Sequence, residues 1–540
     1  MSKPRTFYLL FAVLLACLLA SAAYYIIFQD SWFDESYNSY QPWLTAEGFA
    51  FPYQDFVEKH PPISFYLQVG WQWLWGPSIL AYRILAAIFL LGLAFLLFDN
   101  LRRVSSKWIG LFGLALLVFH PYAVSKFVTA TPDSLIAFFS LLSLWFLLLK
   151  RPGPNARIAL SSIAMALAFL GRYNMLPALF LLWFFALFYW RSWSKLGLAV
   201  GASVLTIGLL EIPYLLLDAE YSVSFFMVMF GPLASLLPLD FLTLIPDTET
   251  HGPIFSFLFN EGRLKLIMQV LTTFFHLWLL LLAGFILALI KWKNDFKSFL
   301  KLHPFFAWSI SLVLALGLAH FLFGPTRHKM YVLYFLPYLL FAAGYAAHLI
   351  VDGFQQTAEW PQVRKVFIAL AVALLILSPV SVAISGFDTI FFNRWDYADS
   401  DLARVARGGQ YLATLTSPQD LILTIDNPDH VLLAGRFMIP ERIGRHDTYT
   451  DSDNEALLKR FSRYNTKMFL NWLLEESDVF VAQRGTFASR LEPISGGTDL
   501  VAGVENILNT KYELVGSVAQ VYPRKESRSG VMDVYRRKSK

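Results

Sequence analysis

Residues 79–98 read ILAYRILAAIFLLGLAFLLF, and Arg83 is the one charged residue in this stretch. A helix needs about 20 apolar residues to cross the hydrocarbon core of a bilayer, where its backbone groups must bond to one another. The stretch therefore predicts a membrane-spanning helix. Further apolar runs bring the predicted spans to eleven: 6–28, 79–98, 108–124, 134–149, 158–171, 174–190, 196–217, 264–290, 303–323, 331–350 and 367–386.

The distribution of charge divides the chain of 540 residues into two regions. Residues 1–386 hold 24 Lys/Arg and 18 Asp/Glu, which is 42 charged residues in 386. Residues 387–540 hold 20 Lys/Arg and 21 Asp/Glu, which is 41 charged residues in 154. The second density, about 27%, is that of an ordinary soluble protein, and the first lies far below it. We therefore predict a transmembrane domain at 1–386 and a soluble domain at 387–540.

The composition also excludes several classes of protein. A mean hydropathy of +0.51 with 15% charged residues excludes a soluble globular enzyme. The soluble region has a net charge of −1 (20 minus 21), which argues against nucleic acid as a partner. Cys17 is the only cysteine, so an intrachain disulfide is impossible. The sequence contains no Walker A or G-x-G-x-x-G motif that would indicate ATP or a dinucleotide.

Lysine and arginine predict the orientation of the chain in the membrane. If the N-terminus is cytoplasmic, the cytoplasmic segments hold 16 of the 24 cations of the transmembrane region and only four acids, in agreement with the positive-inside rule. Eleven spans then place residues 387–540 outside the cytoplasm. The basic start and apolar run also resemble a signal peptide, but the run continues to Phe28 and favours a retained helix.

Two predicted external segments, 29–78 and 218–262, are long and rich in aromatic residues and proline. Within them, residues 63–75 and 233–244 are predicted to lie along the membrane surface, because tryptophan favours the interface. The soluble region is predicted to be an α/β domain. Its expected strands are 421–425, 479–482, 512–521 and 531–535, and its expected helix is 455–474.

Three acids in external segments are candidates for catalysis. Asp34 and Glu35 follow the first span in DSWFDESY (30–37). Adjacent carboxylates beside aromatic rings can raise the pKa of one of them and supply a general base, although a hydrated loop end has the same composition. Asp133 opens the fourth span in TATPDSL (129–135). It is either part of a pocket or a residue that stabilises the helix N-terminus.

Two external sequences combine cations with turn-forming residues. Lys59 and His60, in EKHPPI (58–63), suit a phosphate, but the two prolines also suit a simple helix start. The sequence GPTRHKMY (324–331) places several cations in a predicted external segment, against the positive-inside rule. Such a cluster suits a lipid phosphate. The other outward or embedded cations are either functional or snorkelling anchors: Arg83, Lys126, Arg172, Arg263 and Lys265.

The sequence identifies no metal site. Asp451-Ser452-Asp453 has the acid-x-acid form that some sugar-transferring enzymes use to hold a metal, but it lies in a polar run that predicts a solvated loop. The ten histidines show no H-E-x-x-H pattern. Two external acids can hold a divalent cation or act without one, so metal dependence stays open.

Taken in chain order, these motifs resemble the GT-C glycosyltransferases, and above all the lipid A aminoarabinose transferases and protein O-mannosyltransferases. The resemblance covers about residues 1–350 in layout. It rests on the acidic pair at 34–35, EKHPPI, the aromatic run at 71–76, Arg83, TPD at 131–133, and RHKMY at 327–331 through Pro337. It implies a polytopic α-helical membrane protein of GT-C type, with about eleven spans and a C-terminal extracytoplasmic α/β domain.

The resemblance also implies a function. It predicts inverting transfer of one sugar, a hexose or a pentose, from a polyprenyl-phosphate carrier to a lipid, glycan or protein acceptor. The location implied is the non-cytoplasmic face of a bacterial inner membrane. By position, Asp34 is the leading catalytic carboxylate, Glu35 flanks it and Asp133 is the second acid. The residues implied for donor phosphate are Lys59, His60, Arg83, Arg327, His328, Lys329 and Tyr331.

One departure from the aminoarabinose transferases bears on the substrate. Those enzymes have a lysine directly before a single proline. Here His60 separates Lys59 from two prolines, and this arrangement is closer to the mannosyltransferase form. The sugar and the acceptor therefore stay open.

The main alternative function is a transporter or flippase of a lipid-linked saccharide. Transporters place ionisable residues near the membrane centre. Here such residues gather at one rim, with Glu211 as the nearest exception, and this asymmetry favours an enzyme.

Overall fold

A computed structural model describes residues 4–29, 33–52, 55–56, 62–217, 261–291, 296–323, 329–356, 401–424, 428–439, 455, 458, 464–484, 497–519 and 531–539. Residues 4–356 of this set form a bundle of helices, and the residues from 401 onward form an α/β domain, which we call the sheet domain. The helices of the bundle are α1 (Pro4–Phe28), α2 (Phe33–Ala46), α3 (Pro62–Trp75), α4 (Ile79–Val104), α5 (Lys107–Val118), α6 (Pro121–Phe127), α7 (Asp133–Leu148), α8 (Pro154–Phe169), α9 (Leu176–Trp190), α10 (Trp193–Leu217), α11 (Glu261–Thr273), α12 (Phe275–Lys291), α13 (Phe296–Leu302), α14 (Pro304–Phe323) and α15 (Leu336–Gln356).

Local sequence signals explain where several helices begin. Ser78 precedes α4, and its hydroxyl accepts a hydrogen bond from the backbone N–H of Ala81 at 3.0 Å. Ser106 does the same for Ile109 at the start of α5. These serine caps satisfy N–H groups that the first helical turn leaves unpaired. Short 3₁₀ segments, Tyr173–Met175 and Lys329–Tyr334, lead into α9 and α15.

The predicted spans are confirmed as a polytopic helical architecture, but their number is not. Within the described residues, four helices are long and apolar enough to cross a bilayer, and a fifth span arises if α11 and α12, which meet at an 80° bend, are one span. Shorter apolar helices lie at four other predicted spans: Lys107–Val118, Asp133–Leu148, Pro304–Ala319 and Leu336–Asp352. The predicted span 367–386 lies outside the described residues, so the count of eleven stays a prediction.

The bundle has two chemically different ends. At one end Asp99 of α4 binds both Arg102 and Arg103, the latter at 2.6 Å, and accepts a hydrogen bond from Trp145 Nε1 at 2.8 Å. We call this the basic end. The N-termini of α4 and α7, together with α2 and α3, lie at the opposite end, where the sheet domain packs. We call that the domain end. The predicted cytoplasmic cations Arg102 and Arg103 therefore lie away from the sheet domain.

The sheet domain is built on five strands in the order β2-β1-β3-β5-β4. Its elements are α16 (Asp401–Leu415), β1 (Leu421–Thr424), α17 (Asp429–Leu433), β2 (Phe437–Met438), α18 (Thr466–Asn471), β3 (Val479–Gln483), α19 (Gly497–Lys511), β4 (Tyr512–Ala519) and β5 (Val531–Arg537). Strand β1 pairs in parallel with β2 and β3, while β5 is antiparallel to β3 and β4. The predicted α/β domain is confirmed, and the described strands lie within one or two residues of the expected ones. Its predicted boundary at 386 falls outside the described residues.

Two details of the sheet domain differ from the prediction. The two-residue strand β2 was not expected, because so short a run carries no alternating pattern. The helix predicted at 455–474 is not continuous: the described residues 455 and 458 are helical, but α18 begins anew at Thr466. Asn465 has an extended backbone and accepts the N–H of Met468 at 2.9 Å, so it caps a new helix instead of continuing one.

The first predicted external segment, 29–78, joins the two parts of the molecule. Helix α2 presents Tyr40, Trp43 and Leu44 to a hydrophobic core that also contains Val405 and Leu432 of the sheet domain. Helix α3 occupies the predicted interfacial stretch, and on it Trp73 is 72% exposed. The sheet domain therefore rests on the segment that carries the predicted acidic pair.

Candidate functional site

Glu35 and Arg83 form an ion pair that is completely buried at the domain end of the bundle. Arg83 Nε donates to Glu35 Oε1 at 2.9 Å and Arg83 Nη2 donates to Glu35 Oε2 at 2.8 Å, and both side chains are 0% exposed. This bidentate geometry is the strongest form of a carboxylate–guanidinium contact. Each charge makes the burial of the other tolerable, because an unpaired charge in such a place would be costly.

Arg83 also binds the end of helix α1. Arg83 Nη1 donates to the carbonyl oxygens of Ile26 at 3.0 Å and Gln29 at 2.9 Å. Carbonyls at a helix C-terminus lack intrahelical partners and carry partial negative charge, so a guanidinium stabilises them. Glu35 lies in the first turn of α2, where a negative charge is favoured. Arg83 thus joins the end of α1 to the start of α2.

The loop before α7 is attached to the same pair. The backbone N–H of Ala130 donates to Glu35 Oε1 at 2.6 Å, and Asn38 Nδ2 donates to the Ala130 carbonyl at 3.1 Å. The next residue, Thr131, donates from its hydroxyl to Asp133 Oδ2 at 2.8 Å. We call Glu35, Arg83 and Ala130 the brace. It holds two of the predicted acids, Glu35 and Asp133, on segments that are bonded to each other.

A narrow cleft of about 10 Å³, which is room for one water molecule, lies between α3, α4 and α7. Its lining is mainly apolar but includes Ser64 and Gln68 of α3, and Thr131 and Ser134, which lie close to Asp133 in the chain. Helix α3 turns its polar residues inward, with Ser64 and Gln68 buried, while several of its apolar side chains are exposed. A helix with this inverted pattern suits contact with lipid on its outer side.

A second group of polar residues lies near the ends of α8, α9 and α10. The Arg172 guanidinium lies 5.5 Å from the centre of the Tyr334 ring, and Tyr173 donates from its hydroxyl to Glu211 at 2.8 Å. Tyr334 ends the 3₁₀ segment that begins at Lys329. Arg172 therefore contacts the segment that follows the predicted phosphate-binding sequence.

Several predicted site residues lie outside the described residues. The backbone of Asp34 belongs to the first turn of α2, but its side chain is not described. The 3₁₀ segment Lys329–Tyr334 contains two further candidates whose side chains are likewise outside the description. The remaining members of this group are Lys59, His60, Arg327 and His328. The side chains of Arg263 and Lys265, on α11, also belong to it.

Sequence reasoning missed the residues that join the predicted acids. Asn38 and the backbone of Ala130 have no chemical signature in a single sequence, because their contacts span 92 and 95 positions of the chain. No described group of three His, Cys, Asp or Glu could hold a metal ion. The acid-x-acid sequence at 451–453 lies outside the described residues.

Part of the chain matches a known protein family. Residues 59–215 match the family model described as dolichyl-phosphate-mannose-protein mannosyltransferase. The matched region is less than a third of the chain and contains Arg83, Asp133 and Arg172. No curated protein sequence matches the chain.

Solved structures match the fold over most of the chain. ArnT from Cupriavidus metallidurans bound to undecaprenyl phosphate is similar with a TM-score of 0.52 at 15% identity, covering 98% of this chain and 97% of that one. The Archaeoglobus fulgidus oligosaccharyltransferase with Zn and sulfate has a TM-score of 0.50 at 13% identity, and the match covers 90% of this chain and 70% of that one. AglB from the same organism, with an inhibitory peptide and a dolichol-phosphate, has a TM-score of 0.50 at 12% identity, and the match covers 91% of this chain and 72% of that one. The resemblance to GT-C enzymes and the GT-C fold are confirmed.

Proposed function

We propose that this protein is an inverting glycosyltransferase that moves one sugar from a polyprenyl-phosphate carrier to a lipid, glycan or protein acceptor. The observation that carries the proposal is the brace, which holds two acid-bearing segments together at the domain end of a GT-C fold. The matched family model supports a lipid-phosphate sugar donor. ArnT and AglB were solved with undecaprenyl phosphate and dolichol-phosphate, which supports a carrier of the same class.

The proposed reaction is a displacement at the anomeric carbon of the sugar. An acceptor oxygen forms a bond to C1 as the bond from C1 to the phosphate oxygen breaks, and the carrier phosphate leaves with the electron pair. A general base takes the proton when the acceptor is a hydroxyl group. If the acceptor is already a phosphate, no proton is removed and the carboxylate orients it.

Asp34 is the proposed base. It directly precedes Glu35 in the first turn of α2, so the brace fixes the backbone that carries it. Glu35 has both oxygens bonded to Arg83, and one of them also accepts from Ala130. That environment suits a positioning residue better than a proton acceptor. Asp133 is the proposed second acid, and it accepts a hydrogen bond from Thr131, which lines the cleft.

The proposed phosphate site is the segment that ends in the Tyr334–Arg172 contact. Cations there would stabilise the charge that grows on the departing phosphate, and we assign this role to Arg327, His328, Lys329 and Tyr331. Lys59 and His60 are the proposed contributions of the first external segment. Arg83 is committed to Glu35 and to two carbonyls, so its proposed role is bracing instead of donor contact.

A divalent cation is not required by this proposal. One related fold was solved with Zn, but the described carboxylates here do not form a ligand set. Glu35 is bound to Arg83, and Asp133 accepts from Thr131. No step of the reaction is therefore assigned to a metal.

The test is sugar transfer by the purified full-length protein in lipid vesicles, with a panel of labelled polyprenyl-phosphate sugars as donors and a crude membrane extract as acceptor source. Asp34→Asn should lower the transfer rate by about a hundredfold or more, as loss of a general base does. Asp55→Asn is the matched control in the same external segment. Its carboxylate accepts a local bond from the Phe51 N–H, which an amide oxygen preserves, so activity should stay near wild type.

Two results would count against the proposal in different ways. Unchanged transfer by Asp34→Asn would keep the enzyme class but reject Asp34 as the base, and Asp133→Asn would then be measured. Absence of transfer from every carrier would reject the enzyme class. Movement of intact lipid-linked saccharide across the vesicle membrane would in that case identify a flippase.

A further inference from the structure

Tyr40 connects the helix that carries the acidic pair to the sheet domain. It is 0% exposed, its hydroxyl donates to the carbonyl of Arg436 at 3.1 Å, and the same oxygen accepts the N–H of Met438 at 2.7 Å. Burial raises the pKa of the Tyr40 phenol, so the group stays protonated and keeps its donor. One side chain of α2 therefore satisfies two backbone groups of the sheet domain.

The two backbone groups lie on the free edge of the sheet. Among the strands that the structure describes, β2 is first in the sheet order and pairs with β1 alone. The N–H of Ile439 donates to Ile422 of β1, so residues 437 and 439 face that neighbour. Because alternate residues of a strand point their backbone groups to opposite sides, Arg436 and Met438 face outward. Unpaired edges of this kind need a partner, and here the partner is Tyr40.

Aromatic stacking reinforces the same contact. The ring of Phe437 in β2 lies parallel to the ring of Trp43, with centres 5.5 Å apart, and to the ring of Phe49, with centres 4.1 Å apart. Trp43 is one helical turn after Tyr40, so both residues use the same face of α2. The bonds and the stack together hold α2 against β2.

The strand that receives Tyr40 is itself held firmly. The guanidinium of Arg436 donates to the carbonyls of Ala413 at 3.0 Å and Thr416 at 2.9 Å, and to the Thr416 hydroxyl at 2.9 Å. These groups lie at the end of α16, so β2 is tied to a second element of the sheet domain. A movement of the sheet domain would therefore be transmitted to α2.

We propose that the sheet domain acts as a positioning device for the candidate active site, through Tyr40 and the Phe437 stack. This inference rests on the proposed function. Tyr40 lies five residues after Glu35 on α2, so the helix is fixed by the brace at its start and by the sheet domain further along. Tyr40 is a positioning residue, because its proposed effect on the reacting groups passes through the helix.

The test uses Tyr40→Phe and Phe437→Leu in the full-length protein in lipid vesicles. The first removes both hydrogen bonds and keeps the ring, while the second removes the stack. Each should lower kcat by about tenfold and leave KM for the donor within twofold, because a small misplacement of reacting groups slows the chemical step. Phe437→Tyr preserves a stacking ring and should restore kcat. Tyr411→Phe, at an exposed tyrosine of α16, is the matched control.

Hydrogen–deuterium exchange gives a readout that does not depend on activity. Peptides from residues 33–46 should exchange faster in Tyr40→Phe and Phe437→Leu, while peptides from β1 and β3 keep the wild-type rate. If exchange over 33–46 and kcat both stay at wild-type values, the positioning role is overturned. If the wild type transfers no sugar, the proposed function fails, and the exchange data still decide whether the sheet domain fixes α2.

Discussion

At the scale of single residues, the pairing of Glu35 with Arg83 decides how the domain end of the bundle is built. Two opposite charges with 0% exposure are retained at one point where α1 ends, α2 begins and the loop before α7 passes. Replacing one member leaves the other buried without a counter-charge, whereas replacing both removes the problem. The stability of the single and double variants therefore tests whether the pair has a structural role.

We expect Arg83→Met to destabilise the protein by about 3–5 kcal/mol, because it leaves a buried carboxylate without its guanidinium. The double variant Glu35→Gln with Arg83→Met should be more stable than Arg83→Met alone, since Gln keeps an acceptor for the Ala130 N–H and carries no charge. Thermal unfolding of the purified proteins in one detergent measures both. A double variant that unfolds at or below the temperature of the single one would contradict this account of the pair.

The sequence identified the acids and Arg83 but not how they are arranged. Asp34 and Glu35 are adjacent, and spacing alone does not say which carboxylate is available for chemistry. The structure shows that Glu35 is bound by Arg83 and by the backbone of Ala130, which are 48 and 95 positions away from it. Partners at such separations leave no local pattern, so these contacts of Glu35 could not be predicted from the sequence.

At the scale of elements, four of the five described strands were predictable, whereas strand β2 and helix α2 were not. Strand β3 is a short run rich in apolar and β-branched residues, VFVAQ, and β5 begins with VMDVY, and a single sequence displays such runs directly. Helix α2 contains Ser36, Asn38, Ser39 and Pro42, which are poor helix formers. Its stability comes from burial of Tyr40 and neighbours against the sheet domain, and tertiary packing of this kind overrides local propensity.

The contact between α12 and α15 gives a prediction at this scale. A Cβ added at Gly284 would lie 2.5 Å from the Cβ of Ala346, so the two helices are as close as a glycine allows. Gly284→Ala should destabilise the protein by about 1–3 kcal/mol through overpacking. Gly201→Ala on α10 is the matched control, because no atom lies within 4 Å of its added Cβ.

The two glycine variants have opposite expectations in the same assay. Thermal unfolding in detergent should show a lower midpoint for Gly284→Ala, while Gly201→Ala should be unchanged or slightly more stable, since alanine favours helix by about 1 kcal/mol. Equal midpoints for the two variants would mean that α12 and α15 are not closely packed at this point.

At the scale of the whole molecule, the two ends of the bundle differ in charge and in what they carry. The basic end contains Asp99 with its two arginines, and Lys107 lies there over the ring of Phe7. The domain end contains the brace, the cleft and the sheet domain. Since lysine and arginine favour the cytoplasmic side, this asymmetry supports an extracytoplasmic site, which is where the sequence placed it.

The orientation can be measured with single cysteines, because Cys17 is the only native one. In a Cys17→Ala background, Glu505→Cys adds an exposed thiol on α19 of the sheet domain, and Lys150→Cys adds one at the basic end between α7 and α8. A membrane-impermeant maleimide applied to intact spheroplasts should label Glu505→Cys at once and Lys150→Cys only after permeabilisation. The reverse pattern would place the candidate active site in the cytoplasm. A lipid-linked donor would then have to present its sugar on that face, and the extracytoplasmic location proposed for the transfer would be wrong even if the chemistry were right.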